Sequence, residues 1–445
     1  MKAALSLILA VVFSACAGDS GNTDPNPGAG GTNGGAGASA GQTGGGATAG
    51  KGGSPESGGA GKGGSSGSTG GAGTSGSSGS GGSGSGGSAG GSAGASGCSE
   101  SALKNPLTIN GNKRFFYGVN YAWQDFATDF GGKASWSKKG VASNKDACTK
   151  SLKEMKDNGV DVVRWWMFPD LRGDGVVLDG NKTPTGLGGT VVDDINAALQ
   201  IAKDLDMHIE LTLFSFDNFR PDDKDSVGLG AIVLDDTKRA ALMDKVVRPI
   251  AKAVAASPNT DRMVSWDVIN EPEWALNDED GYGDQKFDCN TKLSCIKFAQ
   301  METFVKDVVK ALKAESKAPV SVGSAAVKWA KAWSKCDLDY YDFHWYGWVD
   351  QWFPHTKTPT DWGIADKPVV VGEFPLVPTA DTSNSAGKPF GGVGYEQLVT
   401  DWLNAGYAGA QGWAFSDTSG AGFSWANGKT AVKAWADAHA CLIHY

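Results

Sequence analysis

Met263-Val264-Ser265-Trp266-Asp267-Val268-Ile269-Asn270-Glu271-Pro272 is a run of eight residues with strand character that breaks into Asn270-Glu271-Pro272. Apolar residues occupy nearly every other place in it without a clean in/out alternation, which is the pattern of a strand covered on both faces. Seven more segments read the same way: Phe115 to Tyr121, Val160 to Met167, Met207 to Phe214, Pro319 to Ala325, Leu338 to Tyr346, Lys367 to Phe374 and Tyr407 to Phe415. The stretches between them carry helical spacing, as in Ala147, Leu152 and Met155, in Val191, Ile195, Leu199 and Ala202, and in Met301, Phe304, Val308 and Leu312. Eight buried strands alternating with helices predict an α/β fold, a (β/α)8 TIM barrel. The fifth unit is the shortest, with a compressed crossover between Ala325 and Leu338. A doubly wound sheet is the alternative, but no G-x-G-x-x-G follows the first strand.

Barrels of this kind place their chemistry at the C-terminal ends of the strands. Those ends read Arg164-Trp165-Trp166 on the second strand, Asn270-Glu271-Pro272 on the fourth, His344-Trp345-Tyr346 on the sixth, Glu373-Phe374 on the seventh and Gly412-Trp413 on the eighth. Glu271 and Glu373 each follow an apolar run, where a charge is costly unless it has partners or a task. Two carboxylates across a barrel mouth suit hydrolysis of a glycosidic bond. One is protonated to release the leaving oxygen, and the other is ionised to attack or stabilise the sugar cation.

These strand ends resemble clan A of the glycoside hydrolases, most closely glycoside hydrolase family 5, over Phe115 to Trp413. The resemblance implies Glu271 as acid/base and Glu373 as nucleophile, in a double displacement with retention. It also implies that Arg164 supports the nucleophile, that Asn270 meets the sugar 2-OH, that His344 and Tyr346 surround the nucleophile, and that Trp413 stacks on a sugar. No metal or other cofactor is implied. The third strand departs from many members in ending Leu213-Phe214-Ser215-Phe216-Asp217-Asn218-Phe219 rather than in His, which tilts the substrate toward β-mannan, with cellulose and other β-glucans as alternatives. An exo-acting glycosidase and a non-catalytic glycan-binding lipoprotein are the rival functions.

Further Trp residues sit at or past strand ends: Trp123, Trp165, Trp166, Trp274, Trp345, Trp348, Trp352 and Trp425. Their faces suit pyranose rings. About half should line a cleft and the rest the core, with Trp274 and Trp348 as the substrate-binding candidates because they lie in loops past catalytic strands.

The rest of the chain says where such a domain works. Of 65 Gly, 35 fall between residues 17 and 97, a stretch with no aromatic residue and only Asp19, Asp24, Lys51, Glu56 and Lys62 charged. It cannot bury enough apolar surface to offset its chain entropy and is predicted to be a disordered Gly/Ser/Ala tether spanning roughly 50 Å root-mean-square. Before it, Lys2, an apolar run from Ala3 to Phe13 and Ser14-Ala15-Cys16 resemble a bacterial lipoprotein signal with Cys16 as the lipidated residue. Phe13 replaces the usual Leu, and ordinary secretion is the alternative. The predicted organisation is a signal peptide over 1–16, a tether over 17–97 and a catalytic domain over 98–445. The domain is expected outside the cytoplasm, as a monomer, secreted or held at the membrane only through that lipid.

A net charge of -9 offers no basic field for nucleic acid. The six remaining Cys favour disulfides in an exported chain, with Cys289 and Cys295 the simplest pair. The acidic groups Asp222, Asp223, Asp225 and Asp278, Glu279, Asp280 lack the spacing of a calcium loop and read as solvated loop charge.

Overall fold

The structure is a computed structural model that describes residues 100–221, 228–384, 387–417 and 419–444. The predicted leader with Cys16, the tether and Asp222, Asp223 and Asp225 lie outside the described residues. Among the described residues no helix is long and apolar enough to cross a membrane.

Eight parallel strands close into a barrel in chain order: β1 (Phe116–Asn120), β2 (Val162–Trp166), β3 (His208–Ser215), β4 (Met263–Asn270), β5 (Val320–Ser324), β6 (Tyr341–His344), β7 (Val369–Pro375) and β8 (Gly409–Trp413), which pairs back with β1. The strands are buried throughout because helices cover their outer surface. The main helices are α1 (Lys145–Asp157), α2 (Val191–Asp204), α3 (Arg248–Ala256), α4 (Phe298–Glu315), α5 (Tyr395–Ala405) and α6 (Trp425–Ala438). The apolar stripes read from the sequence face inward: Leu152 and Met155 on α1, Ile195, Leu199 and Ala202 on α2, Met301, Phe304, Val308 and Leu312 on α4 are all buried. The fifth unit is indeed abbreviated. Only a turn at Val327–Trp329 separates β5 from the approach to β6.

At the N-terminal end, a hairpin of Leu107–Ile109 and Asn112–Arg114 turns through Asn110 and Gly111, both at positive φ. Its Leu107 and Ile109 cluster with Phe116, Val162, Val264, Tyr340, Val370 and Ala408, an apolar plug inside the barrel. Above that plug the interior becomes polar. Register sets Asn120, Arg164 and Glu210 side by side on β1, β2 and β3, and pairs His344 on β6 with Glu373 on β7. A ring of strand ends therefore delivers its polar side chains to one level.

The cysteines correct the expectation of full pairing. Cys289 and Cys295 form a disulfide, with Cα atoms 6.2 Å apart, and Cys441 is disulfide-bonded as well. Cys148 and Cys336 are free buried thiols. Cys148 faces the core from α1, and Cys336 packs below the backbone of Glu302. Each behaves as a small apolar residue in a tight interior. Burial pushes both thiols up to about 12.

Candidate active site

Glu271 leaves β4 in the left-handed conformation, φ 48° and ψ 49°. A non-glycine residue sits there only when its surroundings hold it. Two contacts do so: its N–H donates to the Gly323 carbonyl at 2.6 Å, and a short turn at Pro272–Ala275 follows at once. That turn brings Trp274 back over the carboxylate, and the indole N–H donates to Glu271 Oε2 at 3.0 Å. Glu271 Oε1 meets His344 Nδ1 at 2.8 Å.

Glu373 lies opposite on β7 and is held differently. Arg164 Nη1 donates to its Oε1 at 2.7 Å, and the Tyr346 hydroxyl donates to its Oε2 at 2.8 Å. His344 Nδ1 is 3.3 Å from the same Oε2, so one imidazole nitrogen stands between the two carboxylates. Burial, and then the nearby Arg164 charge, hold the His344 ring well below its ordinary pKa. The ring is neutral, and these contacts are hydrogen bonds rather than ion pairs.

Arg164 is itself fixed from several sides. It reaches Asn120 Oδ1 at 2.8 Å, Asp267 Oδ2 at 2.6 Å from Nη2, and Asn270 Oδ1 at 2.9 Å. Gly323 gives the guanidinium room, since a Cβ there would lie 2.9 Å from Nη2. With its oxygen committed to Arg164, the buried Asn270 amide nitrogen has no protein partner and is free to donate to a sugar hydroxyl.

The two carboxylates are electrostatically unequal. Burial and then the charge of Glu373 push Glu271 well above the usual carboxylate range, against the Trp274 hydrogen bond and a weaker pull from Arg164. Burial also raises Glu373, to about 7, but there Arg164 and Tyr346 pull downward. The proton of the pair therefore belongs on Glu271, and the charge on Glu373.

The site gathers Arg164, Asn270, Glu271, His344, Tyr346 and Glu373 as the sequence predicts. The tryptophans divide otherwise. Trp274 is buried, and its indole N–H donates to Glu271. Trp348 packs on Trp274 at 5.6 Å, with the Lys328 ammonium 5.2 Å above its ring. Trp413 is also buried, against Trp166 and Trp123, with its N–H on Asp417. Trp165 and Trp345 are core residues, packed on Tyr121 and Phe130 and on Trp362, Trp402 and Tyr407. Trp425 is held by Glu154, and Trp352 stands in solvent at 68% exposure. Asp280 accepts the N–H that opens α4, an architectural use of an acidic loop residue.

Three supporting residues escaped the sequence reading. Asn120 and Asp267 anchor Arg164, while Glu273 takes Ser324 Oγ, the Ala325 N–H and the Trp333 indole to fix the turn behind Glu271. A lone charge inside an apolar strand or next to a catalytic motif was the available signal.

Oxygen or nitrogen atoms of Glu271, His344 and Glu373 lie within 4.8 Å of one another, close enough in principle for a metal ion. The same carboxylate oxygens already accept from Trp274, Arg164 and Tyr346, and a fixed guanidinium beside Glu373 repels a second cation. The donor set fits an acid/carboxylate pair better than a metal centre.

Comparison with known proteins gives a consistent picture. No protein-family profile matches the chain. Over 346 residues it is 24% identical to a mannan endo-1,4-β-mannosidase of Mytilus edulis, covering 70% of this chain and 87% of the relative. A mannan endo-1,4-β-mannosidase of Cryptopygus antarcticus is 23% identical over 344 residues, covering 69% and 81%. The X-ray structure of the blue mussel β-mannanase superposes with a TM-score of 0.59 at 22% identity, over 75% of this chain and 96% of that one. The β-1,4-mannanase of Aplysia kurodai gives 0.59 at 22%, over 74% and 95%. The structural likeness establishes the barrel fold.

Proposed function

We infer that the chain is a glycoside hydrolase of the clan A, family 5 type, and that it cleaves β-1,4-mannan internally with retention of configuration. The observation that carries the chemistry is the unequal support of two adjacent carboxylates: Glu373 faces a guanidinium and a phenol, while Glu271 faces a neutral imidazole and an indole. One oxygen of each lies within 4.8 Å of one oxygen of the other, in keeping with the roughly 5 Å spacing of retaining enzymes and short of the roughly 6.5–9.5 Å that inversion needs.

In this reading Glu373 attacks the anomeric carbon while Glu271 delivers its proton to the leaving oxygen. Once the leaving chain departs, Glu271 is a carboxylate and takes a proton from the water that releases the glycosyl group from Glu373. The free Asn270 amide is placed to bind the 2-OH, where hydrogen bonds tighten in the transition state.

The choice of mannan rests on the sequence relatives and on the third-strand end, where Phe216 and Asn218 stand in place of a histidine. The test is a panel of mannan, glucomannan, carboxymethyl cellulose, xylan and mixed-linkage glucan, followed by product analysis on mannohexaose. Internal cleavage of mannan with retained anomeric configuration is the expected result. Release of monomers alone would make it exo-acting, preference for cellulose would move it to the glucanases, and no cleavage of any glycan would return it to glycan binding.

We place the enzyme outside the cytoplasm. The Cys289–Cys295 disulfide supports an oxidising compartment, and the signal-like residues 2–16 support export. Incorporation of labelled fatty acid that is lost in Cys16→Ala tests the lipid anchor.

A further inference from the structure

Just beneath the reacting carboxylates the barrel holds more acid than its cations can balance. Glu210 on β3, Asp267 on β4, Asp342 on β6 and Glu373 on β7 are all buried, and Arg164 is the only lysine or arginine among the buried described residues. If all four were ionised, a net charge of about -3 would sit in a water-poor interior, which no protein tolerates without binding protons.

Geometry indicates which group gives way. Asp267 accepts from Arg164, from Thr212 Oγ1 and from the backbone N–H groups of Gly323 and Ile269. Glu373 accepts from Arg164 and Tyr346, and Glu210 from Tyr340 and Gln411. Asp342 accepts from nothing: both its oxygens are buried and no protein donor reaches either. Its side chain lies against the backbone of Gly372, where an added Cβ would fall 2.0 Å from Oδ1, immediately before Glu373 in the chain.

We propose that Asp342 works as a neutral carboxylic acid, keeping a proton beside the nucleophile so that the single charge of Arg164 remains committed to Asp267 and Glu373. The proposal rests on the reading of Glu373 as nucleophile for its catalytic meaning. Asp342 touches no substrate. It is a positioning residue that acts through the field at Glu373, since a fourth negative charge would hold the proton on Glu373 as well.

The groups that face it explain why it stays neutral. Burial and then Glu210 raise Asp342 well above its ordinary value, Arg164 opposes them, and Asp267 and Glu373 add to the rise. A group that binds its proton more tightly when folded stabilises the fold least at high pH, because folding must then draw that proton from dilute solution. Asn carries no such dependence. The other raised carboxylates contribute equally to both proteins and cancel in the comparison.

The test compares wild type with Asp342→Asn. The melting temperature of Asp342→Asn relative to wild type should rise steadily between pH 5 and pH 9, while the acidic limb of kcat/KM stays in place. An ionised Asp342 predicts the reverse: removing its charge would shift the acidic limb down by roughly one pH unit or more, with no growing gain in alkaline stability, and that result overturns the proposal. Should Asp342→Asn fail to fold, infrared spectra of the protein carrying isotope-labelled aspartate decide the matter. At pH 9, where Asp129 and Asp170, held up to about 7 and about 6, are ionised, a label-sensitive protonated carboxyl band must remain in an Asp217→Asn background, which removes another wholly buried aspartate that burial raises, and its absence refutes the idea. Neither melting nor infrared measurement depends on turnover, so failure of the mannanase reading would leave both results interpretable.

Discussion

Trp274 follows Glu271 by three residues and returns its indole N–H to Glu271 Oε2 at 3.0 Å. Glu271 and its donor are thus joined through one turn, Pro272–Ala275, which Glu273 pins from behind through Ser324, Ala325 and Trp333. If Glu271 is the acid, as proposed, this fixed orientation keeps it aimed at the cleaved bond when substrate arrives. That placement accounts for the burial of a tryptophan in the loop past the fourth strand.

Trp274→Phe removes the indole donor and keeps most of the ring. The hydrogen bond favours ionised Glu271, so its loss should raise the Glu271 pKa and carry the alkaline limb of kcat/KM to higher pH. The rate at the optimum should fall about tenfold, from looser aim of the acid. An unchanged alkaline limb measured across pH 6 to 10 would mean that the indole does not govern Glu271.

Tyr346→Phe acts on the other carboxylate, with opposite consequence for the profile. The phenol donates to Glu373 Oε2 and favours its ionised form. Without it Glu373 keeps its proton to higher pH, so the acidic limb of kcat/KM should move upward, with a loss of about tenfold to a hundredfold at the optimum. Folding should be little affected, which far-ultraviolet circular dichroism would verify. An acidic limb that stays put would assign the phenol to substrate contact alone.

How much of this was legible beforehand depends on what each residue type discloses. Apolar runs such as Met263 to Asn270 disclose strands because burial on both faces leaves no alternation, and all eight barrel strands lie within or one residue beyond the segments read from the sequence. Glu271 and Glu373 stood out because a charge ending an apolar run needs a reason. Asp267, Glu210 and Asp342 did not, since a single acid within a strand can face helices or the barrel axis, and only the register of eight strands decides. The tryptophans were the least readable. Trp165, Trp274 and Trp413 each find a buried acceptor for the indole N–H, in Asp129, Glu271 and Asp417. Such tertiary partners leave no local trace. Cys148 and Cys336 mislead for the same reason: parity suggests pairing, but each sits in its own part of the core.

Arg164 has a structural task beside the catalytic one proposed for it. It alone offsets Asp267 and Glu373 in a site with no exposure. Arg164→Met should therefore leave buried acids unpaired, destabilise the fold by about 3 to 5 kcal/mol and abolish measurable turnover. Urea unfolding at pH 7 gives the first quantity. Part of the loss should be recovered at pH 5, where the stranded carboxylates take up protons, and equal destabilisation at both pH values would contradict this account.

The last prediction concerns the disulfide. Cys289 and Cys295 are six residues apart, so the bond closes a small loop and removes correspondingly little chain entropy, about 2 kcal/mol. The loop nevertheless lies against the site: the Asn290 N–H donates to the Trp274 carbonyl at 2.9 Å, and the Ser294 N–H to that of Phe219 at 2.7 Å. Opening it should first lower stability and only then loosen Trp274 over Glu271. A Cys289→Ser, Cys295→Ser double variant is expected to melt about 3 °C lower. At 25 °C it should keep activity within about threefold, and the deficit should widen on warming as the hydrogen bonds of the loop give way. Wild-type enzyme treated with reductant should follow the variant on the same temperature series. If activity at 25 °C falls as far as in Trp274→Phe, the disulfide itself, and not the turn behind Glu271, is what holds the acid in place.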